Sequence, residues 1–215
     1  ESFLQTHPNQ LYFIFPEHRS LPVQSFDSLP RWWLQDGRQL QSRFEAEARP
    51  GEFYVFQIGV FAARQPLENI RLEFEDLSGP QGSTINASAF TCFNTEGIDF
   101  KGKYFTKQLD VAKDKVQPLW IGLYVPVNAL GQYTGKVSVI PENATVSEID
   151  VILSVYGPPI AKYGDREGWR HTRMRWLNSR IALDEQVTEP YLPVERDQTR
   201  ISILGRSMEL DETGL

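Results

Sequence analysis

One cysteine, three histidines and two methionines are spread over 215 residues, and each scarcity removes a class of chemistry. A lone Cys92 can form neither an internal disulfide nor a Cys-rich zinc site, and it leaves the compartment open. Its context, "SAFTCFNTEG", is apolar and strand-like with no nearby His. A reactive thiolate needs an electropositive, partly exposed setting, so Cys92 reads as a buried structural thiol. His7, His18 and His171 stand apart, without HxH or HExxH spacing, so neither a metal site nor a cofactor is expected. No apolar run approaches the roughly 18 residues of a membrane helix, and no membrane span is expected. Phosphate-cradling glycine loops and a GxSxG elbow are missing as well. Basic charge is in deficit: 22 Lys and Arg against 28 Asp and Glu give a net charge of −6. That field repels phosphate backbones, so nucleic acid is excluded as an expected partner.

What is present is ordinary globular material: 40% hydrophobic and 23% charged residues, with aromatics high at 12%. Thirteen Phe, eight Tyr and five Trp suit half-buried pleated strands. The length allows one large β domain, or a medium domain and part of another. The opening "ESFLQTHPNQ" lacks Met and a basic-then-apolar leader, as in a mature or trimmed chain, and the closing "MELDETGL" reads as a cut.

Two-residue periodicity dominates. In "NIRLEFE", Ile70, Leu72 and Phe74 face one way and Arg71, Glu73 and Glu75 the other. In "EIDVILSV" the inward set is Ile149, Val151, Leu153 and Val155. This is the pattern of antiparallel strands with one wet face. "FEAEARPGEFYVFQIGVFA" reads as two strands joined at Pro50-Gly51, the second apolar on both faces and therefore central. "WIGLYVP" sends Ile121, Leu123 and Val125 inward, Pro126 ends it, "VNALG" turns, and "YTGKVSV" returns as the second arm of a β-hairpin. Turn signals at Gly79-Pro80, Gly97, Gly131 and Pro141 punctuate the runs. The expected fold is all-β, an Ig-like antiparallel β-sandwich over about 20–157, after an N-terminal arm of loop and edge strand.

The character changes after "VYGPP". "DREGWRHTRMRWLNSR" holds Arg166, Arg170, Arg173, Arg175 and Arg180 beside two Trp, with a weak helical period. "PYLPVERDQTRISILGRSMEL" then looks like strand, turn, strand. Residues 1–158 are accordingly read as the sandwich with its arm. Residues 159–215 are read as an Arg/Trp-rich connector, a short C-terminal extension that starts a following β module.

Three segments taken in order, "ARPGEFYVFQIGVFAARQPLENIRLEFEDLSG", "QPLWIGLYVPVNALGQYTGKVSV" and "RMRWLNSRIALDEQVTEPYLPVERDQTRISILGR", carry a resemblance. Together they span roughly Arg49 to Arg206. The chain resembles the N-terminal β-sandwich region of glycoside hydrolases like the substrate-assisted β-N-acetylgalactosaminidases. In those proteins a "PGE…FQ" strand, an "L.NI…DL.G" strand and a "PLW…VP…A..G.YTG.V.V" pair recur in this order. The resemblance implies a secreted, periplasmic or cell-surface bacterial protein whose acid pair lies in a downstream (β/α)₈ barrel. No catalytic residue is therefore expected in this chain, and "FED" at Phe74 to Asp76 sits on a strand with a solvated charged face.

Glycoside hydrolysis needs two carboxyls roughly 5–10 Å apart, one usually with a raised pKa. Glu96 with Asp99, and Asp165 with Glu167, lie in loop-like surroundings and read as surface charge. Arg170, Arg173, Arg175 and Trp176 are expected to form an interface with the next domain, where guanidinium groups find stacking and bidentate partners. Trp32 and Trp33 in "PRWWLQDG", with Trp169 and Trp176 next, could offer ring faces to a pyranose; packing against the protein's own sheet competes with that role. The "NAS" and "NAT" sequons at Asn86 and Asn143 are short and common. The expectation is a non-catalytic accessory domain that braces a catalytic module and contacts glycan, with downstream domains of the same polypeptide as partners. The alternative is an autonomous carbohydrate-binding module.

Overall fold

A computed structural model describes residues 2–25, 29, 33, 42–181, 183, 187, 190–211 and 213. The fold is an Ig-like β-sandwich. Its strands are β1 (Phe13–His18), β2 (Arg43–Ala48), β3 (Phe53–Phe61), β4 (Arg71–Phe74), β5 (Leu77–Ser78), β6 (Thr84–Ile85), β7 (Phe90–Cys92), β8 (Glu96–Ile98), β9 (Tyr104–Thr106), β10 (Val116–Tyr124), β11 (Gly131–Ile140) and β12 (Ser147–Val155). One sheet runs β1-β3-β10-β7; the other runs β2-β12-β11-β5-β6, with β4 also on β11. β8 and β9 make a separate small hairpin.

The alternating residues behave as their period dictates. Ile149, Val151, Leu153 and Val155 are buried in one continuous core with Ile121, Leu123 and Val125. Cys92 is buried in the same core, and burial pushes its thiol pKa up. β3 is buried along its whole length and lies between β1 and β10, in the central place its two apolar faces require. Its Tyr54, Phe56, Ile58 and Val60 enter the sandwich core, while Phe61 joins Phe13, Phe15 and Trp33 in a second cluster. Phe15 lies directly across from Gly59. A Cβ on Gly59 would stand 2.2 Å from the Phe15 ring, so Gly59→Ala is expected to cost about 1–3 kcal/mol through overpacking, read as a lower urea midpoint.

Two pairings differ from the sequence reading. β10 and β11 are not a hairpin: β10 pairs with β3 and β7, and β11 with β12, β4 and β5. The chain between them arches from one sheet to the other, turning where the Ala129 N–H meets the Pro126 carbonyl. Alternation states which side chains go inward, and inward is the same core from either sheet. β2 and β3 are likewise split between sheets, and the two arches meet where the Gly51 N–H donates to the Pro126 carbonyl at 3.3 Å. The second difference is that β2 pairs with β12 in parallel, Arg43 facing Asp150 and Ala48 facing Val155. A parallel pair needs a long crossover, and the whole sandwich intervenes between these two strands.

Past Gly157 the chain folds back. The Ile160 N–H donates to the Pro50 carbonyl at 2.9 Å, and Arg49 Nε to the Pro158 carbonyl at 3.0 Å. The weak helical period of this segment becomes three 3-10 turns, Ala161–Gly164, Gly168–Arg170 and Thr172–Asn178. Left-handed residues Lys162, Tyr163 and His171 interrupt them, which prevents a continuous helix. The last turn packs on β3, β8 and β10. Farther on, β13 (Glu195–Asp197), β14 (Arg200–Ile203) and β15 (Arg206–Glu209) form a three-stranded antiparallel meander. No described helix is long and apolar enough to cross a membrane.

Candidate functional site

The most concentrated chemistry lies where β1 ends, β3 begins and the connector passes. Glu52 follows the Gly51 turn, whose φ is +75°, and its side chain is 0% exposed. One carboxylate oxygen accepts Arg19 Nη1 at 2.6 Å. The other accepts Arg170 Nη1 at 2.8 Å and the Arg49 backbone N–H at 3.0 Å. Arg19 also donates to the Arg170 carbonyl at 3.1 Å, and Arg170 Nε to Glu167 at 2.7 Å. The Arg19 guanidinium lies 4.4 Å over the Tyr54 ring and 5.3 Å from Trp169, and Arg170 lies 4.1 Å over Trp169. One buried carboxylate thus ties the N-terminal arm and the connector to the first residues of β3.

Two further buried polar side chains act in the same way. Gln57 Nε2 donates to the His18 and Leu21 carbonyls, and its Oε1 accepts the Val23 N–H at 2.8 Å. Glu17 accepts the His18 N–H and the Trp33 indole N–H. Each satisfies groups that burial would otherwise leave without partners. Sequence reasoning missed Arg19, Glu52 and Gln57. The signals were present as a Glu beside, and a Gln within, a strand apolar on both faces.

Tyr54 lies under this cluster, and burial pushes its phenol up to about 12, against the opposing pull of Arg19. A raised folded-state pKa means that the native state holds this proton more tightly than the unfolded chain. The associated stability is therefore fully present below about pH 10 and is lost as pH rises from about 10 to about 12, amounting to roughly 2–3 kcal/mol. Tyr54→Phe is expected to flatten that alkaline loss, as urea denaturation across this range would show.

The expected interface arginines are divided. Arg170 is 6% exposed, its charge paired with Glu52 and Glu167 of its own chain. Arg175 pairs with Asp165 through both carboxylate oxygens and lies 4.7 Å over Tyr163. The Arg175 hydrogen bond holds the Asp165 carboxyl below the usual range. Arg173 is exposed, and Trp176 is 59% exposed with its N–H toward Asp165.

Among the expected ring platforms, Trp33 is buried. It is 6% exposed, its ring 4.3 Å from Phe15 and its indole N–H donated to Glu17, both on β1. Trp32 lies outside the described residues. Trp169 is 61% exposed despite its two guanidinium neighbours. The carboxylates weighed as acid pairs all have local partners: Glu96 takes the Tyr104 hydroxyl, Asp99 accepts the Lys101 and Lys103 N–H groups, and Asp165 and Glu167 hold arginines. His7, His18 and His171 rest against Phe13, Phe44 and Trp120 respectively.

No protein-family model matches the chain, and no curated protein matches its sequence significantly. Among solved structures, it is similar to a family 123 glycoside hydrolase from Clostridium perfringens that hydrolyses glycolipid glycans. The TM-score is 0.54 and the identity 17%, over 70% of this chain and 28% of that one. A Bacteroides ovatus GH5 xyloglucanase matches at 0.33, with 13% identity over 58% of this chain and 19% of that one. The PapD-like domain 7 of human CEP192 matches at 0.37, with 13% identity over 54% and 82%. These last two scores are too low to support an argument. The likeness to the family 123 enzyme is one of fold, and this chain spans 28% of that enzyme's length.

Proposed function

We propose that this chain is a non-catalytic accessory β-sandwich of a glycoside-hydrolase-like protein that is secreted, periplasmic or displayed on a bacterial surface. It braces a following catalytic module of the same polypeptide and contacts glycan. The observation that carries this reading is the connector clamp. Glu52 holds Arg170 against the sandwich, so the chain leaves along a set direction with Trp176 and Leu177 exposed beside it. The meander supports it. In register, Arg196, Ile201 and Met208 share one face with Ile203, and Arg200 lies between Asp197 and Glu209 on the other. Ile203 and Met208 are exposed, as in a sheet whose apolar side belongs against further chain. The fold shared with part of a family 123 glycoside hydrolase is consistent with such a parent.

The test compares this chain with the same polypeptide carried on into its following module. Both are assayed on chromogenic hexosaminides and on immobilised glycans. Hydrolysis by the longer protein alone is expected; hydrolysis by residues 1–215 alone would sink the reading. An autonomous carbohydrate-binding module is the second reading, favoured by the exposed Trp169 ring. Glycan retention by this chain that Trp169→Ala abolishes, with the fold intact, would select it.

A further inference from the structure

The two sheets part along one side, between β4 and β7, and leave a cleft of about 700 Å³. Its floor is apolar: Phe74 and Phe90 stack with centroids 4.7 Å apart and rings nearly parallel at 1°, and Cys92 lies beside them. The mouth is hydrophilic, with Ser88, Thr95 and Gln108 around it. Ser88 and Gln108 have no protein hydrogen-bond partner among the described residues. Arg71, Lys107 and Glu96 also line it and together leave a single net positive charge.

The strand edge adds backbone groups. The Glu75 N–H donates to the Lys136 carbonyl at 3.0 Å, and Ser138 faces Glu73. The odd-numbered residues of β4 thus bond to β11, and Leu72 and Phe74 turn their N–H and C=O away from it. No strand pairs with β4 on that side among the described residues. Donors and acceptors, mostly uncharged, therefore border a ring-lined apolar floor within the roughly 300–1,000 Å³ range of ligand sites.

We infer that this cleft is a binding site for a neutral oligosaccharide of two or three sugar units. A pyranose has the matching division: C–H faces for the apolar floor and hydroxyls for amide, hydroxyl and backbone partners. A peptide strand fits less well, because β4 has four residues and turns only two of them outward. The inference rests on the glycan-contacting part of the proposed function and places that contact away from Trp169.

The test is an amide NMR titration of this chain with cellotriose, maltotriose, globotriose and triacetylchitotriose, each to about 10 mM, a range suited to weak binding. At least one sugar should shift the Leu72, Phe74, Thr95 and Gln108 amides. Ser88→Trp, made at an exposed turn so that the new ring fills the mouth, should weaken binding by about tenfold or more, whereas Trp169→Ala should leave it within about twofold. Gln108→Ala, which alters no packed side chain, should weaken it less. If none of the four sugars moves the cleft amides, or if shifts gather around Trp169 and survive Ser88→Trp, the cleft is not the site. The first of those results leaves the bracing role standing, because it bears on the cleft alone; the second favours the carbohydrate-binding module centred on Trp169 instead.

Discussion

Glu52→Ala is expected to lower the unfolding free energy by about 3–5 kcal/mol, because it leaves buried guanidinium charge without its partner. Arg19 and Arg170 reach opposite oxygens of this one carboxylate, so the substitution orphans both. Arg170 retains Glu167, whose side chain is more exposed, and Arg19 retains the Arg170 carbonyl; neither replaces a fully buried anion. The loss should begin in the connector. Amide exchange in 160–178 should accelerate before exchange in β3 or β12, since local opening follows the weakest attachment. Denaturation with exchange measured segment by segment checks both points. A loss below about 1 kcal/mol, the range of exposed ion pairs, would mean that the cluster is wetter than its burial indicates. Replacing the whole triad by apolar residues of similar volume should cost far less than Glu52→Ala, because no charge is then left buried.

Phe56→Ala is the other large loss expected, again about 3–5 kcal/mol. Phe56 is 1% exposed on β3, and its ring stacks on Phe44 of β2 at 4.6 Å and 16°. These strands belong to different sheets, so the pair joins the two layers across the core. Truncation removes the transfer free energy of a ring and leaves a cavity between strands that ladder hydrogen bonds hold in place. Phe56→Leu should cost about 1–2 kcal/mol, since most of the volume remains. The ratio of the two losses, taken from urea midpoints at an unchanged slope, separates lost packing from a change in the denatured state.

The resemblance-bearing stretches were legible as strands and opaque as connections. "WIGLYVP" and "YTGKVSV" have the inward residues expected of them, and Ile121, Leu123, Val137 and Val139 are all buried. Their pairing as a hairpin failed, because a turn after Pro126 serves an arch between sheets as well as a link within one. The site was less legible still. Trp33 attracted attention as an aromatic, yet its environment is set by Phe15 and Glu17, well before it in the chain. Arg170 belonged to a visible run of arginines, but its partner lies 118 residues earlier, and that of Arg19 lies 33 residues later. No local pattern couples positions so far apart.

The all-β class, the inward face of the alternating strands and the burial of Cys92 follow from the sequence alone. Each depends on steric and hydrophobic preferences that act over a few neighbouring residues. Only the tertiary structure decided which strands share a sheet, that β2 runs parallel to β12, and that the connector returns to the sandwich. The same holds for the placement of Glu52 between two arginines and for the cleft between β4 and β7. Those outcomes depend on chain closure, where burying one carboxylate is tolerable only once distant partners arrive together.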